Sequence, residues 1–218
     1  MADLNPSPDY QLESRWPEGS VVIGVDEAGR GPWAGPVTAA AFWISPEHLA
    51  ALPAGLTDSK KLSARMRADI ETTLAAQPHR FAVASKSAAD IDADGLLPAT
   101  FGAMNAAIAA LAPSLPGPID AVLVDGHILP DLPAAGAADC EAIIRGDALS
   151  LSIAAASVMA KQDRDRQMQA LEAVWPGYGF ASHKGYGTKA HQQALDALGP
   201  CAEHRRSFRP IAMRLNLA

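Results

Sequence analysis

Cysteine is nearly absent. The chain has 2 in 218 residues, Cys140 and Cys201, far apart and outside any Cys-x-x-Cys pair. That argues against a structural zinc site, and a reduced, cytoplasmic protein is expected. Charge is sparse as well: charged residues make up 19% against 49% hydrophobic. Such a balance supplies a full core and argues against disorder. No apolar run reads as long enough to span a bilayer, so no membrane partner is expected. Residues 1–6 carry neither a basic n-region nor an apolar h-region, so no secretory leader is expected. There is no internal repeat.

Basic charge is in deficit, with a net charge of −6. Taken alone, that argues against a nucleic-acid partner. The deficit is uneven, however. From His183 onward, Lys184, Lys189, Arg205, Arg206, Arg209 and Arg214 face only Asp196 and Glu203. The excess of acid therefore lies upstream, where a carboxylate cluster would sit. On charge alone, a chance fluctuation over a short window explains this equally well.

The length fits one domain, or one domain with a small appendage. Residues 1–19, rich in Pro, Asp and Ser, read as a flexible lead-in, and 20–218 as a single domain. Short β-branched or apolar runs predict strands over 21–25, 36–44, 80–85, 121–124 and 141–144. Helical spacing predicts helices over 63–77, with Met66, Ile70 and Leu74 on one face, and over 96–111, 150–174 and 188–198. Pro-rich stretches at 113–118 and 130–138 read as loops. Alternation of this kind after a strand-rich start is an α/β layout around a mixed β-sheet flanked by helices.

What the sequence does contain is a run of unusual content: Val22-Ile23-Gly24-Val25-Asp26-Glu27-Ala28-Gly29-Arg30-Gly31-Pro32. Two carboxylates follow an apolar strand, and a Gly-Arg-Gly turn follows them. Hard divalent cations want oxygen ligands. Glycine lets a backbone approach a bound group, and arginine meets phosphate. Two further strands end in acids, at Asp125 and Asp147. Strand ends on one sheet edge converge. Four carboxylates there repel unless cations neutralise them, and two metal ions can clamp an in-line displacement at phosphorus. Neighbours on a regular strand point to opposite faces, so Asp26 and Glu27 share a site only if the strand ends or bulges there. Singly, Asp147 would serve as a helix cap and Asp125-Gly126 as a turn. Asp163 and Asp165 are expected to form (i, i+4) salt bridges on a solvated helix face. His183, His191 and His204 are not expected to bind metal, since hard cations take carboxylates.

The segment Val25–Pro32, continued by Ala34-Gly35-Pro36-Val37, resembles the signature of the ribonuclease HII family, the bacterial type 2 ribonucleases H. Matching segments follow in order: Asp58-Ser59-Lys60-Lys61-Leu62, Val124-Asp125-Gly126, Gly146-Asp147-Ala148, Ser152–Ser157 with Ala160-Lys161 and Arg164-Asp165, His183–Thr188, and His204–Phe208. The resemblance covers roughly residues 20 to 210. It implies a ribonuclease-H-like α/β fold with a helical C-terminal part. It also implies an endoribonuclease that hydrolyses RNA in RNA–DNA hybrids and nicks DNA 5′ of embedded ribonucleotides, as in ribonucleotide excision repair. Two divalent ions, Mg²⁺ or Mn²⁺, would serve the reaction, which leaves 3′-hydroxyl and 5′-phosphate ends.

By motif match, the catalytic and metal-binding acids fall on Asp26, Glu27, Asp125 and Asp147. The ribose-reading turn falls on Gly29, Arg30 and Gly31, and the junction tyrosine on Tyr186. The 2′-hydroxyl alone marks a ribonucleotide in a duplex, and close backbone plus a tyrosine suits its reading. Tyr186 by itself would equally be a half-buried packing residue. Lys60, Lys184, Arg205, Arg206 and Ser207 are candidate phosphate contacts; Lys61 is as readily a solvated surface residue. Arg145 stands where the family usually has Lys, and Trp33 where many members have a smaller residue. Ribonuclease HIII has Gly-Lys-Gly and an extra N-terminal domain, for which acids beginning at Asp26 leave no room. No clamp-binding peptide is evident after Arg214, so recruitment by a sliding clamp is not expected, and a monomer is. The alternative is a different metal-dependent nuclease on the same fold, such as a junction resolvase, which would leave Gly29–Gly31 and Tyr186 without a role.

Overall fold

The computed structural model describes residues 7–216. Residues 1–6, where no leader is expected, and 217–218, at the end of the stretch where no clamp-binding peptide is expected, lie outside them. Five strands form one sheet: β1 Val22–Ala28, β2 Val37–Trp43, β3 Arg80–Lys86, β4 Ala121–Asp125 and β5 Asp139–Ile143, in the order β3-β2-β1-β4-β5. The β1–β2 and β2–β3 pairs are antiparallel, and β1–β4 and β4–β5 parallel. The mixed sheet expected from the sequence is thus present.

Period-2 alternation divides the two faces. Ile23, Val25, Ala39 and Ala41 pack with Met104, Ala107 and Ile108 of helix α3, Leu96–Leu111. Ala40 and Phe42 pack on the other face with Ile70 and Leu74 of α1, Ala64–Ala75, and with Ala154–Ala156 of α4, Leu151–Val174. Met66 does not join them and is 48% exposed. Helical periodicity assigns a face, but not how far along the helix a neighbour extends. Helix α4 lies almost on the strand: a Cβ on Gly24 would stand 2.3 Å from the Ile153 amide nitrogen.

The expectation that no run suffices to cross a bilayer needs correcting. Leu96–Ser114, 19 residues, is long and apolar enough by length and composition. Its apolar character serves the core instead, since Ala103, Met104, Ala107, Ile108 and Leu111 are buried against the sheet.

Three short helices escaped the sequence reading: α2 Ala88–Asp94, α5 Phe180–His183 and α7 Arg209–Arg214. With α6, Lys189–Leu198, the last two enclose Phe180, Leu195 and Ile211 in a helical C-terminal part.

The lead-in is not loose from Asp9 onward. Asp9 bridges to Ser150, and Glu13 is buried at the start of α4. Its Oε1 accepts from the Ser150 hydroxyl and from the Ser152 amide and hydroxyl at 2.6–2.8 Å. A carboxylate there complements the positive end of the helix. Composition could not reveal this, because the partner is 137 residues away.

Candidate active site

Parallel pairing brings the ends of β1 and β4 side by side, with Val25 opposite Val124. Asp26 and Asp125 follow those residues directly. Asp147 arrives from beyond β5, on a 3-10 turn, Gly146–Ala148. Arg145 makes the corner with φ of 58°. Asp147 is not a helix cap: Ser150 holds that position, its Oγ accepting from the Ile153 amide at 3.1 Å. Carboxylate oxygens of Asp26, Asp125 and Asp147 all lie within 4.8 Å of one another.

Glu27 does not enter this group. Strand β1 runs on through Ala28, paired to Thr38 without a bulge. Alternation therefore puts Asp26 on the α4 face and Glu27 on the α3 face with Val25. Glu27 instead meets the Arg30 guanidinium at 3.5 Å on the cleft wall.

The acids strain against one another. Burial, then the charges of Glu27 and Asp125, hold the Asp26 carboxyl well above the usual range. Burial first, then Asp125 and Asp58, push Asp147 up to about 6, against the opposing charge of Lys60. Burial raises Glu27 too, with Arg30 working against it. Asp26 Oδ1 accepts from the Glu27 amide at 2.6 Å, while Oδ2 is buried without a partner. An orphaned oxygen among converging carboxylates fits a hard cation's ligand demands. Lys60, on the 3-10 turn Ser59–Lys61, places Nζ 3.9 Å from Asp147 Oδ2. Burial opposes its charge, but Asp26, Asp58, Asp147 and Asp125 together raise its pKa.

Beside the acids opens a cleft of ≈ 510 Å³ lined by Glu27, Gly29, Arg30, Gly31, Lys60 and Tyr186, with Lys161 and Arg164 behind. Gly29 has φ of 97°, and a Cβ there would lie 2.0 Å from Arg164 Nε. Tyr186 is 47% exposed and faces Gly31, whose added Cβ would stand 3.6 Å from its ring. The structure thus gathers Gly29, Arg30, Gly31, Lys60 and Tyr186 into one cleft.

Other expected contacts stand differently. Arg205 is no surface phosphate ligand, because it is fully buried. Its guanidinium donates to the carbonyls of Gly35, Arg30, Gly29 and Pro36 at 2.6–3.0 Å. The Ser207 hydroxyl and amide are both taken by Asp92 Oδ1, at 2.6 and 2.8 Å, and the Arg206 amide by Asp92 Oδ2. The Lys184 ammonium donates to the Ala181 carbonyl at 2.7 Å. Asp165 pairs with Lys161 as expected, but on a buried face, where Arg67 also reaches it at 3.5 Å. Asp163 pairs with Arg166 at 3.5 Å.

Sequence reasoning missed the part played by Arg164. It donates to the carbonyls of Pro36, Ala34 and Lys184 at 2.9–3.3 Å, and so ties the Gly-Arg-Gly loop to the Tyr186 loop. Its appearance in a motif segment was the available signal, but nothing in the spacing gives a helix residue that target. Asp92 was missed with its helix.

The sheet and its parallel β1–β4 seam are those of a ribonuclease-H-like fold. The structure is similar to ribonuclease H2 from Pyrococcus horikoshii OT3, with a TM-score of 0.73 and 23% identity, covering 89% of this chain and 97% of that one. It is also similar to Bst-RNase HIII in complex with Mn²⁺, with a TM-score of 0.73 and 21% identity over 100% of this chain and 75% of that one. At those identities the likeness defines the fold. The sequence goes further. Residues 23–211 match the ribonuclease HII family model. The ribonuclease HII of Rhodospirillum rubrum is 50% identical over 206 residues, 94% of this chain and 90% of that protein. This chain belongs to the ribonuclease HII family.

Proposed function

We propose that this protein is an endoribonuclease that hydrolyses RNA in RNA–DNA hybrids and nicks DNA 5′ of an embedded ribonucleotide. The carrying observation is the convergence of Asp26, Asp125 and Asp147, from three segments, beside a cleft that Gly29–Gly31 and Tyr186 share. Family membership supports the activity and disfavours a junction-resolvase-like alternative.

In this reading Asp26, Asp125 and Asp147 hold one or two divalent ions, Mg²⁺ or Mn²⁺, with Glu27 closing the site from the other face of β1. Bound there, such ions would neutralise the acids and polarise the phosphodiester toward hydrolysis. The chain's own groups do the placing. Lys60 sets its ammonium at the acid edge, where it meets the phosphate being cut. Gly29 and Gly31 bring backbone groups against the ribose, and Tyr186 offers a flat ring and a hydroxyl. Arg30, exposed and only loosely held by Glu27, can exchange that partner for phosphate. Arg206 and Lys184 lie outward of the cut and position the duplex. The reading turn follows Asp26 and Glu27 on one segment, so the cut falls at a fixed offset from the ribose.

The test is a duplex containing one ribonucleotide, incubated with Mg²⁺, with its ends mapped. A single nick 5′ of the ribose, with 3′-hydroxyl and 5′-phosphate ends, is expected from wild type and none from Asp125→Asn. Cutting of an all-DNA junction while the ribonucleotide duplex stays intact would overturn the reading.

A binding prediction accompanies it. At pH 7.5, Mg²⁺ at about 100 times its Kd should add about 2.7 kcal/mol of stability. The gain in Tm should fade as pH falls through about 6, where Asp147 takes up its proton. Thermal melts with and without Mg²⁺ across that range check it.

A further inference from the structure

Behind the cleft lie three histidines whose hydrogen bonds fix every ring proton. The Cys201 amide donates to His204 Nδ1 at 3.0 Å, so His204 carries its proton on Nε2. That nitrogen faces His191 Nε2 at 3.0 Å. His191 must therefore accept there and carry its own proton on Nδ1, 3.0 Å from the carbonyl of Tyr186. His183 completes the frame: its Nδ1 accepts from the Gly185 amide at 3.2 Å, and its Nε2 meets the Tyr178 carbonyl at 2.7 Å. Both runs of bonds end on the Gly185-Tyr186 pair. The Trp33 amide holds the Gly185 carbonyl at 2.8 Å from the other side.

The arrangement requires neutral rings. A proton added to His191 would set two N–H groups against each other across the Nε2–Nε2 contact, and one added to His204 would set its Nδ1–H against the Cys201 amide. Burial supplies that condition: His191 and His204 are 0% and 1% exposed. It holds both at about 4, far below working pH. These rings are also no metal cluster, since the three-acid group is the one metal-competent set among the described residues.

We infer that His191 is a positioning residue for Tyr186, and that His204 acts through it by fixing its tautomer. The inference rests on the proposed role of Tyr186 at the ribose. Tyr186 has an exposed ring on a short loop, and that ring meets the sugar in one orientation only if its backbone is held. The Thr188 amide already bonds the Tyr186 carbonyl at 2.8 Å, but it belongs to the same loop and moves with it. Of the two bonds to the Tyr186 carbonyl, the one from His191 comes from a buried side chain.

A double-mutant cycle tests this on the one-ribonucleotide duplex. Tyr186→Ala should lower kcat/KM about ten- to hundredfold, as loss of an aromatic contact to a nucleotide does. His191→Gln keeps a group facing His204 but withdraws the donor to Tyr186, and should cost about tenfold. In the Tyr186→Ala background it should cost nothing more, because its effect runs through the missing ring. His191→Asn places an amide donor where Nδ1 stood and should restore most of the activity. Equal losses from His191→Gln in both backgrounds would overturn the inference, as would His191→Asn no better than His191→Gln. If His191→Gln does not accumulate folded, His204→Asn takes its place in the cycle. It keeps the acceptor for Cys201 and withdraws the relay proton, with the same two outcomes. Should Tyr186→Ala itself cost nothing, the proposed role of Tyr186 falls and this inference with it. A costly Tyr186→Ala with an additive cycle removes the inference alone.

Discussion

Asp26→Asn is expected to cut ribonucleotide-specific nicking about 10³-fold and to stabilise the metal-free protein. The two effects have one cause. Asp26 is 2% exposed, and its carboxyl is held well above the usual range by burial and by Glu27 and Asp125. Its native pKa exceeds its unfolded one. Between the two values the native chain binds a proton that the unfolded chain has lost. Stability therefore falls as pH rises from the unfolded carboxylate value, about 4, through the raised native one. Asparagine removes that cost. Its Oδ1 keeps the bond from the Glu27 amide. Its amide nitrogen replaces the orphaned oxygen and finds carboxylate acceptors within the cluster.

In the proposed reaction a charged metal ligand is lost at the same stroke. Metal clamping of this kind contributes several kcal/mol to the transition state. A loss of about 4 kcal/mol is a fall in rate of about 10³-fold. Without divalent ions, the Tm of the variant at pH 7.5 should exceed that of wild type, and the gap should close toward pH 4. A variant that melts lower at pH 7.5, or that nicks within about tenfold of the wild-type rate, contradicts this account of the site.

Arg205→Met should carry the largest stability cost of any single change at the cleft. It withdraws donors from the carbonyls of Gly29, Arg30, Gly35 and Pro36 together. The Pro36 carbonyl keeps its bond from Arg164, so three carbonyls lose their partner; at about 1–3 kcal/mol for each acceptor left unpaired, less where it is half-exposed, about 4 kcal/mol in all is expected. Relief of repulsion from the neighbouring Arg164 offsets a part. Burial, and then that repulsion, lower the Arg205 pKa to about 9, still above neutral, so the native side chain donates as a cation. At about 2–4 °C per kcal/mol for a chain of this size, Tm should drop by about 10 °C. Arg205→Lys should recover little. A point ammonium cannot span four carbonyls that a planar fork reaches. A calorimetric comparison of the three proteins decides it: a lysine variant as stable as wild type would show that charge, not the fork, matters.

How much of this was legible beforehand varied with the kind of interaction. The acids at Asp26, Asp125 and Asp147 stood out because each follows an apolar run, and parallel strand ends converge by topology. The α3 range matched its sequence reading to the residue, because Ala-rich helical spacing and Pro113 bound it. Glu27 stands apart from those three. The text of a sequence puts it beside Asp26, whereas an unbroken β1 turns it to the other face. Arg205 was misread: an arginine in a basic tail has the composition of a phosphate contact. Whether it meets solvent or four carbonyls depends on chain 169 to 176 residues away.

Local order fixes what local physics governs here. The alternation of β1, the spacing of α3 and α4, the turn at Gly29 and the family motif all lie in contiguous residues, and these determined the fold class and the acids. Tertiary structure alone decided what depends on distant partners. It set the burial that raises Asp26, the two arginines that clamp the loop between β1 and β2, and the neutral histidines behind Tyr186. Protonation, desolvation and hydrogen-bond pairing are properties of surroundings, and surroundings exist only once the chain has packed.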